Sequence, residues 1–381
     1  MILTLTLLFS CLAGIAAIYH LFCIYLVRRY FRTVPSMVGD EYPPATILIP
    51  LCGIDFDAYG NYAVFCRQEY PQFQLIFGVQ DEQDPSIAVV RRLMADFPES
   101  DIRLVVNANT LGENRKVGNL HNMLAEARYD SIVIVDSDIR AGRDFLRSTV
   151  PHLNDPQVGL VTCFYRAAQA DNWVSRLEAI EITAEFLPGV VVAREMEGMT
   201  FALGAAMVTS RERLRDIGGL EAIADHLADD YMLGHLIYKA GYEVRLVPYV
   251  VETVLGPMGF VPMLVHQIRW ARVKRVCRPG GYLGLIVTYG TAFALLSAIV
   301  SQAAPASLAL LAMVVGIRLL VGWLVGYRCF GDEIVKRYLW LIPVRDLVSF
   351  LIWCVSLIGR TIEWRGRTFD IGADGRMIPK S

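Results

Sequence analysis

Apolar positions follow two different patterns along this chain, and the patterns divide it. Residues 2–27 form an almost unbroken apolar run that ends in Arg28, Arg29 and Arg32. About 20 apolar residues suffice to cross a bilayer. The run lacks a basic leader and a small-residue cleavage site, so it predicts a signal-anchor helix and not a removed signal peptide. The basic residues at its far end place the following domain in the cytoplasm. Three more apolar runs come late: Tyr282–Val300, Ala306–Tyr327 around Arg318, and Leu339–Gly359 around Pro343, Arg345 and Asp346. Uncharged Ser301–Pro305 suits a translocated turn, and Arg328, Lys336 and Arg337 suit a cytoplasmic loop. Four full crossings would leave the tail outside, although it carries Arg360, Arg365, Arg367, Arg376 and Lys380. The last run is therefore expected either to re-enter or to cross abnormally at Arg345 and Asp346.

Between Glu41 and about Phe260 the pattern changes to short apolar strands alternating with helical spacing, the pattern of a largely parallel sheet covered on both faces. Ala45–Leu51, Gln74–Gln80, Ile102–Val106 and Ser131–Val135 read as strands. Asp84-Pro85 opens a helix whose apolar face is Ile87, Val90, Leu93, Met94 and Phe97. Lys116–Ala127 is a second helix, and Asp230–Ala240 a third that stops at Gly241. The expected fold class is α/β, a doubly wound, Rossmann-like, mostly parallel sheet with membrane helices at both ends. The expected divisions are an anchor at 1–32, a catalytic domain at 41–260, an interfacial segment at 261–281, membrane helices at 282–359 and a polar tail at 360–381.

Composition sharpens this picture. The apolar fraction of 54% and the mean hydropathy of +0.41 are those of a chain with membrane segments. A net charge of −2 with no basic stripe excludes a nucleic-acid partner. The eight Cys are scattered without a Cys-x-x-Cys, which gives neither a disulfide framework nor a zinc site. No Gly-x-Gly-x-x-Gly turn follows the first strand, and no Walker lysine loop occurs. A diphosphate held at this sheet would therefore meet carboxylates, which need a cation first.

Those carboxylates stand in order. Open α/β sheets bind ligands beyond the carboxyl ends of their strands, and Asp81 and the pair Asp136-Ser137-Asp138 follow strand ends. Asp136 and Asp138 are two apart, so an extended strand end points them the same way. Hard oxygen ligands so placed suit Mg²⁺ or Mn²⁺; an Asx turn closing the strand would use the same residues. Asp81 suits a uracil or ribose group, or simply caps its loop. Lys116 opens a helix, where a cation is unfavourable unless an anion is near; the nucleotide phosphate would be such an anion, and a plain surface cation is the equal alternative. Asp229-Asp230-Tyr231 precedes a helix, and two acids exceed what capping needs. Asp230 is the candidate general base toward an acceptor hydroxyl, with Asp229 supporting it. His266-Gln267-Ile268-Arg269-Trp270 lies in a basic stretch before the late apolar runs. It fits an interfacial helix with snorkelling cations, and also a diphosphate and acceptor wall.

Taken together, Gln80-Asp81, Lys116–Leu120, Asp136-Ser137-Asp138, Asp229-Asp230-Tyr231 and Arg269-Trp270 resemble the ceramide glucosyltransferase-like family, inverting GT-A enzymes with a "D, D, D, (Q/R)xxRW" signature. Ile49-Pro50-Leu51, Gly218-Gly219-Leu220 and Trp364-Arg365-Gly366-Arg367 extend the likeness over nearly the whole chain. The resemblance implies a UDP-sugar donor and a divalent cation. It gives Asp81 to the nucleotide, Asp136 and Asp138 to the metal-diphosphate, Asp230 to the base, and Arg269 with Trp270 to the diphosphate and acceptor side. His266 departs from the signature's Gln or Arg. His266–Ala271 with Arg278–Tyr282 looks most like the bacterial hopanoid-biosynthesis branch, whose members transfer N-acetylglucosamine to bacteriohopanetetrol at the inner membrane. The ceramide branch, using UDP-glucose, is the alternative. A polysaccharide synthase shares these acids but usually carries more spans. A non-catalytic membrane sensor or transporter would account for the intramembrane Arg318, Arg345 and Asp346.

Overall fold

The computed structural model describes residues 1–33, 39 and 41–380. The strands are β1 (Ala45–Pro50), β2 (Phe73–Val79), β3 (Ile102–Val106), β4 (Ser131–Val135), β5 (Ile139–Arg140), β6 (Val158–Ala168), β7 (Ala206–Ser210) and β8 (Glu243–Val254). They make one eight-stranded sheet in the order β3-β2-β1-β4-β7-β6-β8-β5. β1 pairs in parallel with β2 and β4, β2 with β3, and β6 with β8, whereas β7 and β5 join antiparallel. β1 and β4 are buried at every residue, as strands covered on both faces must be.

The longer helices are α1 (Ile2–Thr33), α2 (Ser86–Asp96), α3 (Arg115–Leu124), α4 (Trp173–Glu181), α5 (Leu187–Glu197), α6 (Asp229–Lys239), α7 (Phe260–Cys277), α8 (Gly290–Val300), α9 (Pro305–Tyr327) and α10 (Leu339–Ser356). The expected helices and strands all form, with ends displaced by a few residues. α2 begins at Ser86, with Asp84 one residue before Pro85 accepting from the Ser86 backbone N–H at 2.9 Å. α6 begins at Asp229, and Gly241 closes it at φ +93°.

α1, α9 and α10 are long and apolar enough to cross a membrane. The run expected as one span at Tyr282–Val300 is instead a bent pair, Pro279–Thr288 and α8, that meets at 52°. Gly280, Gly281 and Gly284 in the first part weaken a continuous helix there. The lower end of α1 docks on the sheet: Cys23, Leu26, Val27 and Tyr30 are buried in its core, and the Tyr30 hydroxyl donates to the Leu246 carbonyl at 2.7 Å.

The segment expected as a polar tail is a three-stranded antiparallel sheet, β9 (Thr361–Trp364), β10 (Arg367–Ile371) and β11 (Met377–Pro379). Ile362, Phe369, Ile371 and Met377 alternate onto one face and pack against Ala228 and Val273. This removes the topological conflict. The tail is docked on the catalytic domain, so an even number of crossings separates them. α9 and α10 are each long and apolar enough for one crossing, and the bent pair that ends in α8 has the form of a broken span or a re-entrant loop. Both halves of α10 touch elements at the catalytic end: Asp346 meets Arg318 and Thr291, Arg345 meets Gln267 of α7, and Ser356 meets Tyr282. Arg345 and Asp346 of α10 are accordingly buried against other elements of the protein and turned away from lipid.

Candidate active site

The site is assembled where β1, β2 and β4 end. Asn114 starts α3: its side-chain oxygen accepts from the backbone N–H groups of Lys116 and Val117 at 3.0 and 3.2 Å. Its amide donates to the His226 carbonyl at 2.7 Å, and the Glu113 N–H donates to the Asp225 carboxylate at 3.1 Å. Asn119, one turn on, donates to the carbonyls of Leu51 and Gly78. These bonds tie α3 to the strand ends on one side and to the segment before Asp229 on the other. The C-terminal sheet braces that segment from outside, with the Met377 N–H on the Asp225 carbonyl at 2.8 Å.

Lys116 is the hub. Its Nζ lies 2.6 Å from Asp136 and 3.1 Å from Asp229, so two carboxylates stand beside this lysine at the helix start. Burial alone would pull the ammonium down, but Asp136, Asp229 and Asp230 hold it charged, above its ordinary value. Asp136 and Asp138 do not share a partner: the Asp138 Oδ2 accepts from the Thr253 hydroxyl at 2.7 Å. Between them the Ser137 hydroxyl donates to Asp55 at 2.5 Å. Burial, then the neighbouring Asp136, pushes the Asp138 carboxyl up to about 6. Asp136 is raised by burial and by Asp229, against Lys116.

Asp230 is half-buried, and its Oδ1 accepts from the Tyr231 N–H at 2.7 Å. Burial and the adjacent Asp229 push its carboxyl up to about 7, with Lys116 opposing. Two glycines make room for it. A Cβ on Gly204 would lie 2.8 Å from the Asp230 carboxylate, and a Cβ on Gly234 would strike the Phe201–Ala202 backbone on which α6 rests. Asp81 stands apart on an exposed rim, where its Oδ1 accepts from the Gln83 N–H at 2.9 Å.

α7 carries the basic-aromatic stretch. The Trp270 indole N–H donates to His266 Nε2 at 2.7 Å, which leaves the proton on Nδ1 facing Glu178 of α4 at 3.0 Å. Gln267 points away into the membrane region, where it accepts from Arg345 at 3.1 Å. Arg269 is half-buried and makes no ion pair among the described residues. Its guanidinium is lowered by burial and by Arg365, which lies in the β9–β10 turn and donates to the Cys52 carbonyl beyond β1. Asp55, Thr253, Glu178 and Arg365 were not among the residues expected from sequence. Arg365-Gly366, both at positive φ between two alternating strands, is the hairpin signal that points to the last of them.

Three carboxylates, those of Asp136, Asp229 and Asp230, thus act on one ammonium, and those of Asp138 and Asp55 stand beside Asp136. Among the described residues no three His, Cys, Asp or Glu converge as a closed metal cage. Two aspartates at a strand end amid excess negative charge instead fit a divalent cation that takes its remaining oxygens from a diphosphate.

A family model, Glycosyl transferase family 21, matches residues 7–377. Ceramide glucosyltransferase 3 of Caenorhabditis elegans is 21% identical over 389 residues, covering 97% of this chain and 83% of that protein. Ceramide glucosyltransferase 1 of the same organism is 20% identical over 381 residues, covering 93% and 76%. Among solved structures the mannosyltransferase PcManGT from Pyrobaculum calidifontis, in complex with GDP-Man and Mn²⁺, superposes with a TM-score of 0.58 at 19% identity, covering 92% of this chain and 99% of that one. That likeness establishes the GT-A fold, a mostly parallel sheet, and the family match spans the membrane helices and the C-terminal sheet as well. The chain belongs to glycosyltransferase family 21.

Proposed function

We propose that this glycosyltransferase moves a sugar from a UDP-sugar onto a hydroxyl of a membrane lipid, with inversion, on the cytoplasmic face of a bacterial inner membrane. The observation that carries the reading is the Asp230 carboxylate, half-buried at the edge of an acid-rich cluster and pushed up to about 7, where a general base works best. The acceptor oxygen attacks the anomeric carbon as the bond from that carbon to the diphosphate oxygen breaks. The hydroxyl proton passes to Asp230, and the bonding pair leaves with the diphosphate. Asp229 stays paired to Lys116 and keeps negative charge beside the base.

Asp136 and Asp138 would hold Mg²⁺ or Mn²⁺, which supplies Lewis-acid neutralisation of the departing diphosphate. Arg269 and Arg365 add positive charge near the site, and their mutual proximity, offset only in part by Glu178, supports an anionic ligand there. Asp81 on the rim suits the nucleoside. Trp270, 40% exposed, is placed to wall the acceptor, with His266 and Glu178 fixing its ring.

A lipid acceptor is supported by α7, which lies between the site and the membrane helices, and by the ceramide glucosyltransferase relatives. N-acetylglucosamine transfer to bacteriohopanetetrol is the first donor–acceptor pair to assay, and glucose transfer to ceramide the second. Membranes carrying the protein are incubated with each UDP-sugar and each lipid. Glycolipid formation with one of them is expected, and sugar polymer in place of glycolipid would overturn the lipid-acceptor reading.

A further inference from the structure

The catalytic end of the membrane region carries a second charged site that shares no residue with the acid cluster. The last turns of α1 and the end of α9 enclose a cavity of about 360 Å³, lined by Arg28 and Arg32 from α1, by Trp323 and Leu324 from α9, and by Arg328 just beyond it. Phe31 and Cys329 form its floor. Arg29, on the neighbouring face of α1, is 3.2 Å from Glu195 of α5. Arg28, Arg32 and Arg328 have no carboxylate within ion-pair distance among the described residues. They converge all the same, since all three pull on the Cys329 thiol, against the burial that raises it.

Three guanidiniums drawn together without an acid repel one another, so their arrangement calls for an anion. The basic residues that topology requires at a cytoplasmic helix end need only be near the surface. They need not come from two helices around one cavity. What lies above the cavity identifies the anion's carrier. Phe22 and Tyr25 of α1 are 42% and 59% exposed, and Leu320 and Trp323 of α9 are 41% and 40% exposed. These exposed side chains precede the arginines by roughly one to two turns on the same two helices, on the side where acyl chains would lie. Trp at this level is an interfacial anchor.

We propose that the cavity between α1 and α9 binds the phosphate headgroup of an anionic glycerophospholipid, whose chains run along Phe22, Tyr25 and Leu320. Such a lipid would bridge α1, which carries the catalytic domain, to the C-terminal helices. The site is independent of the donor and acceptor readings above.

The test uses the full chain in bilayer discs of phosphatidylcholine with about 20 mol% phosphatidylglycerol, a composition that gives the surface a negative potential. Lipid retained after transfer to neutral detergent is counted by native mass spectrometry. The wild type is expected to retain phosphatidylglycerol over phosphatidylcholine by roughly tenfold relative to their supply, within what three surface arginines can provide. The triple variant Arg28→Gln, Arg32→Gln, Arg328→Gln should lose that preference. A control that removes equal charge from the catalytic surface, Arg91→Gln, Arg143→Gln, Arg215→Gln, should keep it. Where the triple variant does not fold, Arg328→Gln alone should reduce the preference severalfold. Equal retention of the two lipids by the wild type, or an undiminished preference in a folded triple or single variant, overturns the proposal. Displacement of the retained lipid by millimolar inorganic phosphate overturns it too, in favour of a free-anion site.

Discussion

Two buried charge clusters in this protein use the same residue types to opposite ends. In the membrane region Arg318 donates to both oxygens of Asp346 at 2.7–3.1 Å and to the Ala184 carbonyl at 3.0 Å, and Thr291 adds a bond to Asp346. Charge in this pair is matched one to one, and each Arg318 nitrogen finds an acceptor. At the strand ends one ammonium faces three carboxylates, Asp136, Asp229 and Asp230, with Asp138 and Asp55 beside Asp136. A matched pair locks helices together. An unmatched cluster holds its acids in a costly state, which a cation and a proton can relieve. The excess of charge, more than its burial, separates the reactive cluster from the structural one.

That comparison can be broken in several ways. The largest effect is expected at the cation site: Asp138→Ala, or chelation of divalent metal from the wild type, should lower transfer by about 10³-fold, as loss of several kcal/mol of charge neutralisation implies. Full transfer by the chelated wild type would remove the metal assignment. Next, Arg318→Met should leave Asp346 buried and alone, lowering stability by about 3 kcal/mol or more in detergent melts. The double variant Arg318→Met, Asp346→Leu should recover most of that loss; if it melts no higher than the single variant, the pair is not a self-contained unit.

A pH series separates the clusters further. Asp230 must be ionised to accept a proton, so kcat/KM should fall about tenfold per pH unit below about 7. Its effect on stability has the opposite sign. A carboxyl raised in the folded state favours folding below its unfolded value of about 3.9, and that contribution is lost as pH rises through about 7. The smallest effect is at the motif's odd member. His266→Ala removes one hydrogen bond to Trp270 and should cost about 1 kcal/mol, while His266→Gln, which still offers an acceptor, should retain most activity. Equal losses in the two would show that the imidazole itself acts.

Much of this was legible in the sequence for a local reason. Strand runs such as Ser131–Val135 announce their own ends, and acids placed there fall at one edge of a parallel sheet. Asp136, Asp229 and Lys116 accordingly meet, and Asp138 stands beside Asp136, where it accepts from Thr253 of the distant β8. Asp55 stayed hidden because its role depends on a contact between loops 82 residues apart. The C-terminal sheet was read as a tail because its strands are short and rich in charge. Its alternation of Ile362, Phe369 and Ile371 was visible, but the surface it covers, Ala228 and Val273, belongs to other elements. His266 reads from sequence as a candidate ligand at the motif's first position, and its neighbours, Trp270 on Nε2 and Glu178 near Nδ1, come from contacts that its position in the motif does not announce.

The most direct test of the account is Asp230→Asn in the full-length enzyme, with donor affinity and transfer measured on the same preparation. The account predicts UDP-sugar binding close to wild type, transfer reduced by about 10³-fold, and a melting temperature at pH 8 no lower than wild type, because a strained carboxylate is gone. Transfer at the wild-type rate would contradict it, and so would a loss of donor binding that alone explains the missing activity.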